Sequence, residues 1–495
     1  MESKKEDIFM KLKKLMAIML AGTMVLGLTA CGGDTGSSSS SGSSSSSSDS
    51  ASSSSSSDEA SGDDGAADDT AAASGDERLV VWTLAADLEQ FADHYMEQNP
   101  SVAIETVVIE PANYVTKVQT ALNGGQKEPD IIVGEPQMLE DFYDAGYFED
   151  LNQAPYNAQD YADQIVDYVW EVGQDADGIQ RSISYQITPA GIYYRRDIAQ
   201  EVFGTEDPDE IGQLFKDYPT ILQTAQTLKS AGYRIFASDA EINYFSGDSA
   251  WVIDGTLNVD QGRYDYQDLC ISLYQDDLTA YANQWSTPWY QAMAGEVPIL
   301  SADIQNYADD SVNVWDAEQF AESTADMDKT EVFAFGLPSW GVLTMRDNVL
   351  ETSGKWGVCA GPAYGFGGGT FIGISSQSER KDLAWDFLKF CTLNEDTANW
   401  WIEVSEGDTV SLIPVLEAHA EDANTVYGGQ QLYKFWLEQA EGIDYSKVTR
   451  YDKVIGDAWG SATTSIKTGE KTKEEAINEF YDVVESTYPE ITVNR

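Results

Sequence analysis

From Leu79 to Val133 short apolar runs alternate with segments of helical periodicity, and this alternation limits the possible folds more than any other feature of the chain. Leu79-Val80-Val81-Trp82 is an unbroken apolar run, as a strand covered on both faces requires. Leu88, Phe91 and Tyr95 then share one helical face, closed by Asn99-Pro100. Val102, Ile104 and Val107 alternate as a second strand, and Tyr114, Val118 and Leu122 mark a second helix ending at Gly124-Gly125. Pro129-Asp130-Ile131-Ile132-Val133 is a third strand, after which Met138, Phe142 and Gly146 continue into another helix. The βαβαβ order predicts a right-handed, doubly wound α/β unit. Ligands of such sheets bind beyond the strand C-termini. That points to the loops Ala85-Ala86-Asp87 and Gly134-Glu135-Pro136-Gln137.

The chain has 495 residues, too many for one ordinary core, so at least two packed units are expected. Its 29 basic and 84 acidic side chains give a formal charge of −55. Such a field excludes nucleic acid and disfavours strongly anionic ligands. Only His94 and His419 are available as histidine bases or metal ligands. With 13 Trp, 26 Tyr and 17 Phe the chain is nevertheless rich in aromatic rings, and 42% hydrophobic residues can build large cores.

Two segments precede this body. Lys11, Lys13 and Lys14 lead into an apolar run from Leu15 to Leu26 and then Leu28-Thr29-Ala30-Cys31. The run is too short to span a bilayer and has the charge order of a secretory signal. Small residues before a cysteine resemble a bacterial lipobox, which implies cleavage before Cys31 and its acylation, with residues 1–31 as the leader. Residues 32–77 follow, with serine at 18 of the 21 positions from Ser37 to Ser57. No side chain there can offset the ordering entropy, so a disordered linker is expected, with a reach of roughly 35–40 Å by random-coil scaling. The linker carries ten acidic residues and no basic one, and the body after it keeps 24 basic against 71 acidic. The acidity therefore belongs to the folded part.

Other chemistries find little support. Cys270, Cys359 and Cys391 show no C-x-x-C spacing, and Cys391 falls on the apolar face of a helix. There is neither a G-x-S-x-G elbow nor an H-E-x-x-H motif. Asp175-Ala176-Asp177-Gly178 has half the ligands of a calcium loop but no closing glutamate, and reads as a turn. No metal and no cofactor is expected.

Val80-Val81-Trp82-Thr83, Asn99-Pro100, Tyr114 with Lys117, and Glu128-Pro129-Asp130-Ile131 resemble the start of family 1 extracellular solute-binding proteins. These are the sugar-binding subunits of ABC importers, maltose-binding protein among them. The resemblance continues through Tyr185, Gly191-Ile192-Tyr193-Tyr194 and Asp197, then Gly367 to Ile374, Ala384 to Phe390, Tyr451, Gly469 to Thr472 and Glu474 to Ile477. It implies a two-lobed α/β fold of the periplasmic-binding-protein type, each lobe a doubly wound, mainly parallel sheet, with a ligand cleft between lobes. The first lobe is expected over 78–189 and 356–414, the second over 190–355 and 415–495. Two departures stand out: Ser184 precedes Tyr185 where many members have proline, and Ser301 to Thr330 reads as an insertion.

A sugar presents hydroxyls at its edges and C–H patches on its faces, so its site needs aromatic planes and a few carboxylate or amide acceptors. Trp340, on a Gly/Pro loop after the apolar run Val332 to Phe335, is the first such plane; relatives present a stacking aromatic at this place. Trp285, four residues before Trp289, and Trp251, beside Ser249, are further candidates. Glu135 directly follows a buried strand, with Gln137 and Asp87 on the same crevice loops. Tyr185, Tyr364, Phe366 and Tyr451 complete the set, whereas Trp82 and Trp385 lie inside apolar runs and read as core.

The resulting expectation is a monomeric binding lipoprotein on the outer face of the bacterial cytoplasmic membrane. It would capture a sugar, an oligosaccharide by preference, through hinge closure and deliver it to the permease of an ABC transporter. The alternatives are a lipid-anchored glycoside hydrolase, which needs only two suitably spaced carboxylates, and a binder of a non-sugar solute.

Overall fold

The computed structural model describes residues 78–247, 249–300 and 312–495. The expectations for the leader, Cys31, the serine-rich linker and residues 301–311 lie outside these residues.

Two mixed sheets organise the chain. Nine strands form them: β1 (Arg78–Thr83), β2 (Ala103–Val108), β3 (Ile131–Gly134), β4 (Ser182–Ser184), β5 (Ala190–Arg195), β6 (Arg234–Phe236), β7 (Val332–Pro338), β8 (Trp356–Cys359) and β9 (Phe371–Ile374). The first sheet has the order β2-β1-β3-β9-β4 and the second β8-β5-β7-β6. The first three strands are parallel, with Val81 opposite both Thr106 and Ile131. The helix Asp87–Gln98 joins β1 to β2 and buries Leu88, Phe91 and Tyr95 against the sheet. The helix Pro111–Asn123 joins β2 to β3 and buries Tyr114, Val118 and Leu122. Each such side chain contributes roughly 1.5–3 kcal/mol on burial. The Tyr114 hydroxyl donates to the Trp82 carbonyl at 2.9 Å, tying helix to sheet.

Parallel pairing does not extend through either sheet, contrary to the mainly parallel expectation. β9 runs antiparallel to β3 and β4, and β5 runs antiparallel to both β7 and β8. Strands added after a passage between lobes enter from the opposite end of the sheet. The boundary expected at Trp356 also moves. β8 pairs with β5, Trp356 opposite Arg195, and so closes the second sheet; the chain rejoins the first only at β9. Its apolar sequence says that it is buried, not in which lobe.

Three passages between the lobes lie side by side and are knitted by hydroxyls. Ser339 and Thr409 both donate to the Ile187 carbonyl, at 2.8 and 2.6 Å, and Ser411 donates to the Ser184 carbonyl at 2.7 Å. The Gly367 N–H donates to the Thr188 carbonyl at 3.1 Å.

The C-terminal helices Asp452–Lys467 and Lys473–Thr487 pack on the helix Gln261–Gln275 of the second lobe and form a satellite core around Trp459 and Phe480. Just before them, Arg450 reaches the first lobe. Its backbone N–H and Nε donate to Glu140 at 2.9 and 2.8 Å, and its guanidinium also pairs with Asp144. These groups are partly exposed. Arg450→Gln is therefore expected to lower stability by no more than about 1 kcal/mol, with the loss shrinking in high salt. Urea denaturation at two ionic strengths measures it, and an undiminished loss in high salt would contradict the electrostatic origin.

Candidate functional site

The passage Gly367-Gly368-Gly369-Thr370 is the spine of the candidate site. A Cβ on Gly367 would lie 2.3 Å from a ring carbon of Tyr244 and 2.8 Å from the Pro338 ring, so only glycine admits this approach. Gly368 and Gly369 have φ of +72° and +121°, the left-handed region that glycine enters freely.

On the second-lobe side, Trp340 follows β7 directly and its indole N–H donates to the Gly367 carbonyl at 2.9 Å. Trp285 lies almost parallel to it, ring centroids 6.0 Å apart at 21°, an offset stack. Both rings are half-buried. Trp285 sits at φ +70°, costly for a bulky side chain and kept only where surrounding packing enforces it. Behind it Trp289, fully buried, lies 5.0 Å away and donates its indole N–H to both carboxylate oxygens of Glu241 at 3.1 and 3.2 Å. Burial, with the charges of Glu241 and Glu135, raises the Tyr244 hydroxyl above the ordinary range, and the neighbouring Gln284 side chain works against that rise.

Glu135 comes from the other lobe. It leaves β3 at the start of the helix Pro136–Asp144 and accepts a hydrogen bond from the exposed Gln137. Burial holds its carboxyl above the usual carboxylate range. Gly134 pairs with Phe371 across the first sheet, so Glu135 leaves β3 beside Thr370 at the end of the glycine passage.

A second group flanks the same spine. Asp87, the first residue of the helix Asp87–Gln98, accepts from the Tyr185 hydroxyl at 2.6 Å. Tyr185 is 2% exposed, packs on Phe91 at 4.8 Å and Trp401 at 5.5 Å, and is also bonded to Thr370. The Trp401 indole donates to Asp408 at 3.1 Å. Asp408 is 1% exposed, and burial, with the Asp87 charge, pushes its carboxyl up to about 7. With the Asp87 bond lost together with the contact to Thr370, Tyr185→Phe is expected to cost about 1–3 kcal/mol. Denaturant titration would show it, and an unchanged midpoint would mean that these contacts contribute nothing net.

The structure thus brings together Trp340, Trp285, Glu135, Gln137, Asp87 and Tyr185 around residues 367–370. It does not bring Trp251 and Tyr451 there. Trp251 is buried in the satellite core with Trp459 and Phe480, the Arg263 guanidinium 3.4 Å over its ring, and Tyr451 packs on Tyr488 in the same cluster. Trp251→Phe should accordingly lower the melting temperature without changing ligand affinity, as a paired thermal and calorimetric titration would show. Tyr364, 59% exposed, leans on Gly442 of the C-terminal segment, whereas Phe366, beside Pro189 at the passage, packs on Tyr168 of the first lobe and on Tyr445. Sequence reading missed Tyr244, Gln284, Glu241 and Asp408. An aromatic in the polar stretch after β6 was the one available signal, at Tyr244; a buried carboxylate leaves none.

Among the described residues no group of three or more His, Cys, Asp or Glu side chains could hold a metal, and no helix is long and apolar enough to cross a membrane. Cys270, Cys359 and Cys391 are buried and unpaired. Asp175 accepts from the backbone N–H groups of Asp177 and Ile179, the turn expected there.

Comparison with curated proteins gives no match. Solved structures of the same fold exist at low identity. A crystal structure of an extracellular solute-binding protein family 1 member is 16% identical, with a TM-score of 0.64 over 83% of this chain and 99% of that one. The ABC transporter associated binding protein from B. animalis subsp. lactis Bl-04, in complex with β-1,6-galactobiose, is 17% identical, with a TM-score of 0.58 over 85% and 100%. The galacto-N-biose/lacto-N-biose I-binding protein of the ABC transporter from Bifidobacterium longum, in complex with lacto-N-biose, is 14% identical, with a TM-score of 0.61 over 84% and 98%. These likenesses establish the two-lobed fold. The family model described as bacterial extracellular solute-binding protein matches residues 90–426, most of the chain. By fold and by family model, this chain belongs to the bacterial extracellular solute-binding proteins.

Proposed function

We propose that the protein captures a carbohydrate, preferentially an oligosaccharide, between its lobes and delivers it to an ABC permease. The observation that carries this reading is the offset-stacked Trp285–Trp340 pair beside the Gly367 passage, with Glu135 of the other lobe close by. Two adjoining indole faces suit the C–H faces of consecutive sugar rings, and nearby carboxylates suit their hydroxyls. Ligand contacts to both lobes would favour the closed arrangement of the passages. The sugar complexes of structures sharing the fold support this choice of ligand class.

Attachment through Cys31, with residues 32–77 as tether, would place a monomeric body near its permease. Binding without cleavage fits the carboxylates better than hydrolysis does. Asp87 is engaged by Tyr185, and Asp408 by Trp401 and the Thr409 N–H, which makes both part of the framework that carries the passages.

The test is a thermal-shift and calorimetric panel of neutral mono- and oligosaccharides, with reducing ends followed in parallel. The right sugar should raise the melting temperature by mass action and remain intact. Shifts with peptides but no sugar, or turnover of the sugar, would refute the reading.

A further inference from the structure

We propose that Glu241 is a positioning residue for this site: its carboxyl group fixes the Trp289 indole and, through it, the tilt of the Trp285–Trp340 platform on which a sugar ring stacks. The inference rests on the carbohydrate-binding reading for its ligand, but its geometry stands without one.

Glu241 is 1% exposed and forms no ion pair among the described residues. Its partners are neutral: the Trp289 indole N–H, held by both oxygens, and the N–H and hydroxyl of Ser238. An ionised carboxyl buried without a cation is strongly disfavoured, and the group is accordingly pushed up to about 8 by burial. A lone indole N–H could be satisfied by a backbone carbonyl at far lower cost. What the carboxyl group adds is a second oxygen: both lie within hydrogen-bonding distance of the one indole N–H, a bifurcated contact that limits its swing more than a single carbonyl would.

The neighbouring geometry serves the same end. Gly336 in β7 lets the Glu241 turn come close, since a Cβ there would lie 2.6 Å from the Glu241 carbonyl oxygen. Trp289 is braced edge-on by Tyr290 at 5.0 Å and Phe335 at 5.7 Å, leaving Trp285 against its remaining side at 5.0 Å. Trp285 keeps its left-handed backbone on this support and stacks on Trp340, whose far edge is tied to Gly367. The aromatic row is thereby anchored at one end in the second-lobe core and at the other in the passage between lobes.

The experiment compares wild-type protein with Glu241→Leu, Glu241→Gln and Trp289→Phe, each as full chain. Near-ultraviolet circular dichroism reads the coupled band of the Trp285–Trp340 stack without ligand, with Trp340→Phe identifying that band. Titration with β-1,6-galactobiose and lacto-N-biose, and with any sugar found in the panel above, reads affinity. Glu241→Leu and Trp289→Phe should each lose most of the coupled band and weaken sugar binding by more than about tenfold, as loss of a supporting shell does. Glu241→Gln keeps an acceptor and should restore both within about threefold. If Glu241→Leu does not fold, Trp289→Phe carries the same expectation. Loss of the band with no sugar binding to wild type would sustain the positioning role and overturn the carbohydrate reading. A band and affinity untouched by Glu241→Leu or Trp289→Phe would overturn the positioning role, as would a Glu241→Gln protein as impaired as the leucine variant.

Discussion

Trp340→Ala is expected to weaken carbohydrate binding by about 30- to 150-fold while leaving the protein folded. Truncating a central aromatic anchor costs about 2–3 kcal/mol, and each 1.4 kcal/mol is a factor of ten. Trp340 is half-buried and caps the short helix Gly341–Asn348 from outside the second-lobe sheet, so the core beneath it survives. The residue has two separable roles: it offers a ring face, and its indole N–H holds the Gly367 carbonyl. Trp340→Phe keeps much of the face and drops the bond, so its affinity should fall between the other two. Isothermal titration with the panel sugar measures all three. Wild-type affinity in the alanine variant would remove Trp340 from the site.

The second large effect is on stability as a function of pH. Asp408 is pushed up to about 7 and Glu241 to about 8, in both cases chiefly by burial. Both folded-state values lie above those of the unfolded chain, so the native state binds these protons more tightly. Their favourable contribution is complete below the ordinary carboxylate range and is lost as pH rises through about 7 and about 8. At about 1.4 kcal/mol per pKa unit, each group shifts stability by a few kcal/mol across this window. Asp87, also raised by burial, adds in the same direction, and the Asp87 charge is one reason that Asp408 resists ionisation. Groups such as Asp197 act oppositely. Held low against its own burial by the Arg195 guanidinium, Asp197 loses its contribution only in strong acid. Melting temperature should therefore rise as pH falls from about 8 to about 5, then decline at lower pH. Asp408→Asn removes one of these contributions, so it should flatten the profile and melt higher than wild type at pH 8. Differential scanning calorimetry at four pH values decides. A wild-type melting temperature that climbs with pH over that range would contradict the assignment.

Much of the candidate site could be read in the sequence where the local pattern carried the information. Glu135 and Asp87 follow buried strands, so strand ends placed them at the crevice without any knowledge of the second lobe. Trp340 stood out because a tryptophan on a Gly/Pro loop has no core of its own to fill. Trp251 and Tyr451 had a similar polar setting, yet both are drawn into the satellite core by helices about 200 residues distant from Trp251 and adjacent to Tyr451. Exposure to a cleft and burial under a distant helix look alike in one dimension.

Periodicity, charge and punctuation are local properties, and by themselves they determined the α/β class, the βαβαβ start of the first lobe and the acidic, histidine-poor character that favours an uncharged ligand. Tertiary structure alone decided which lobe owns Trp356, that the later strands run antiparallel, that Tyr244 meets Gly367, and that Glu241 and Asp408 are buried against the indoles of Trp289 and Trp401. The reason is physical: strand partners and buried hydrogen bonds join residues tens to hundreds of positions apart. Whether a polar side chain is solvated or buried depends on what the rest of the chain places over it.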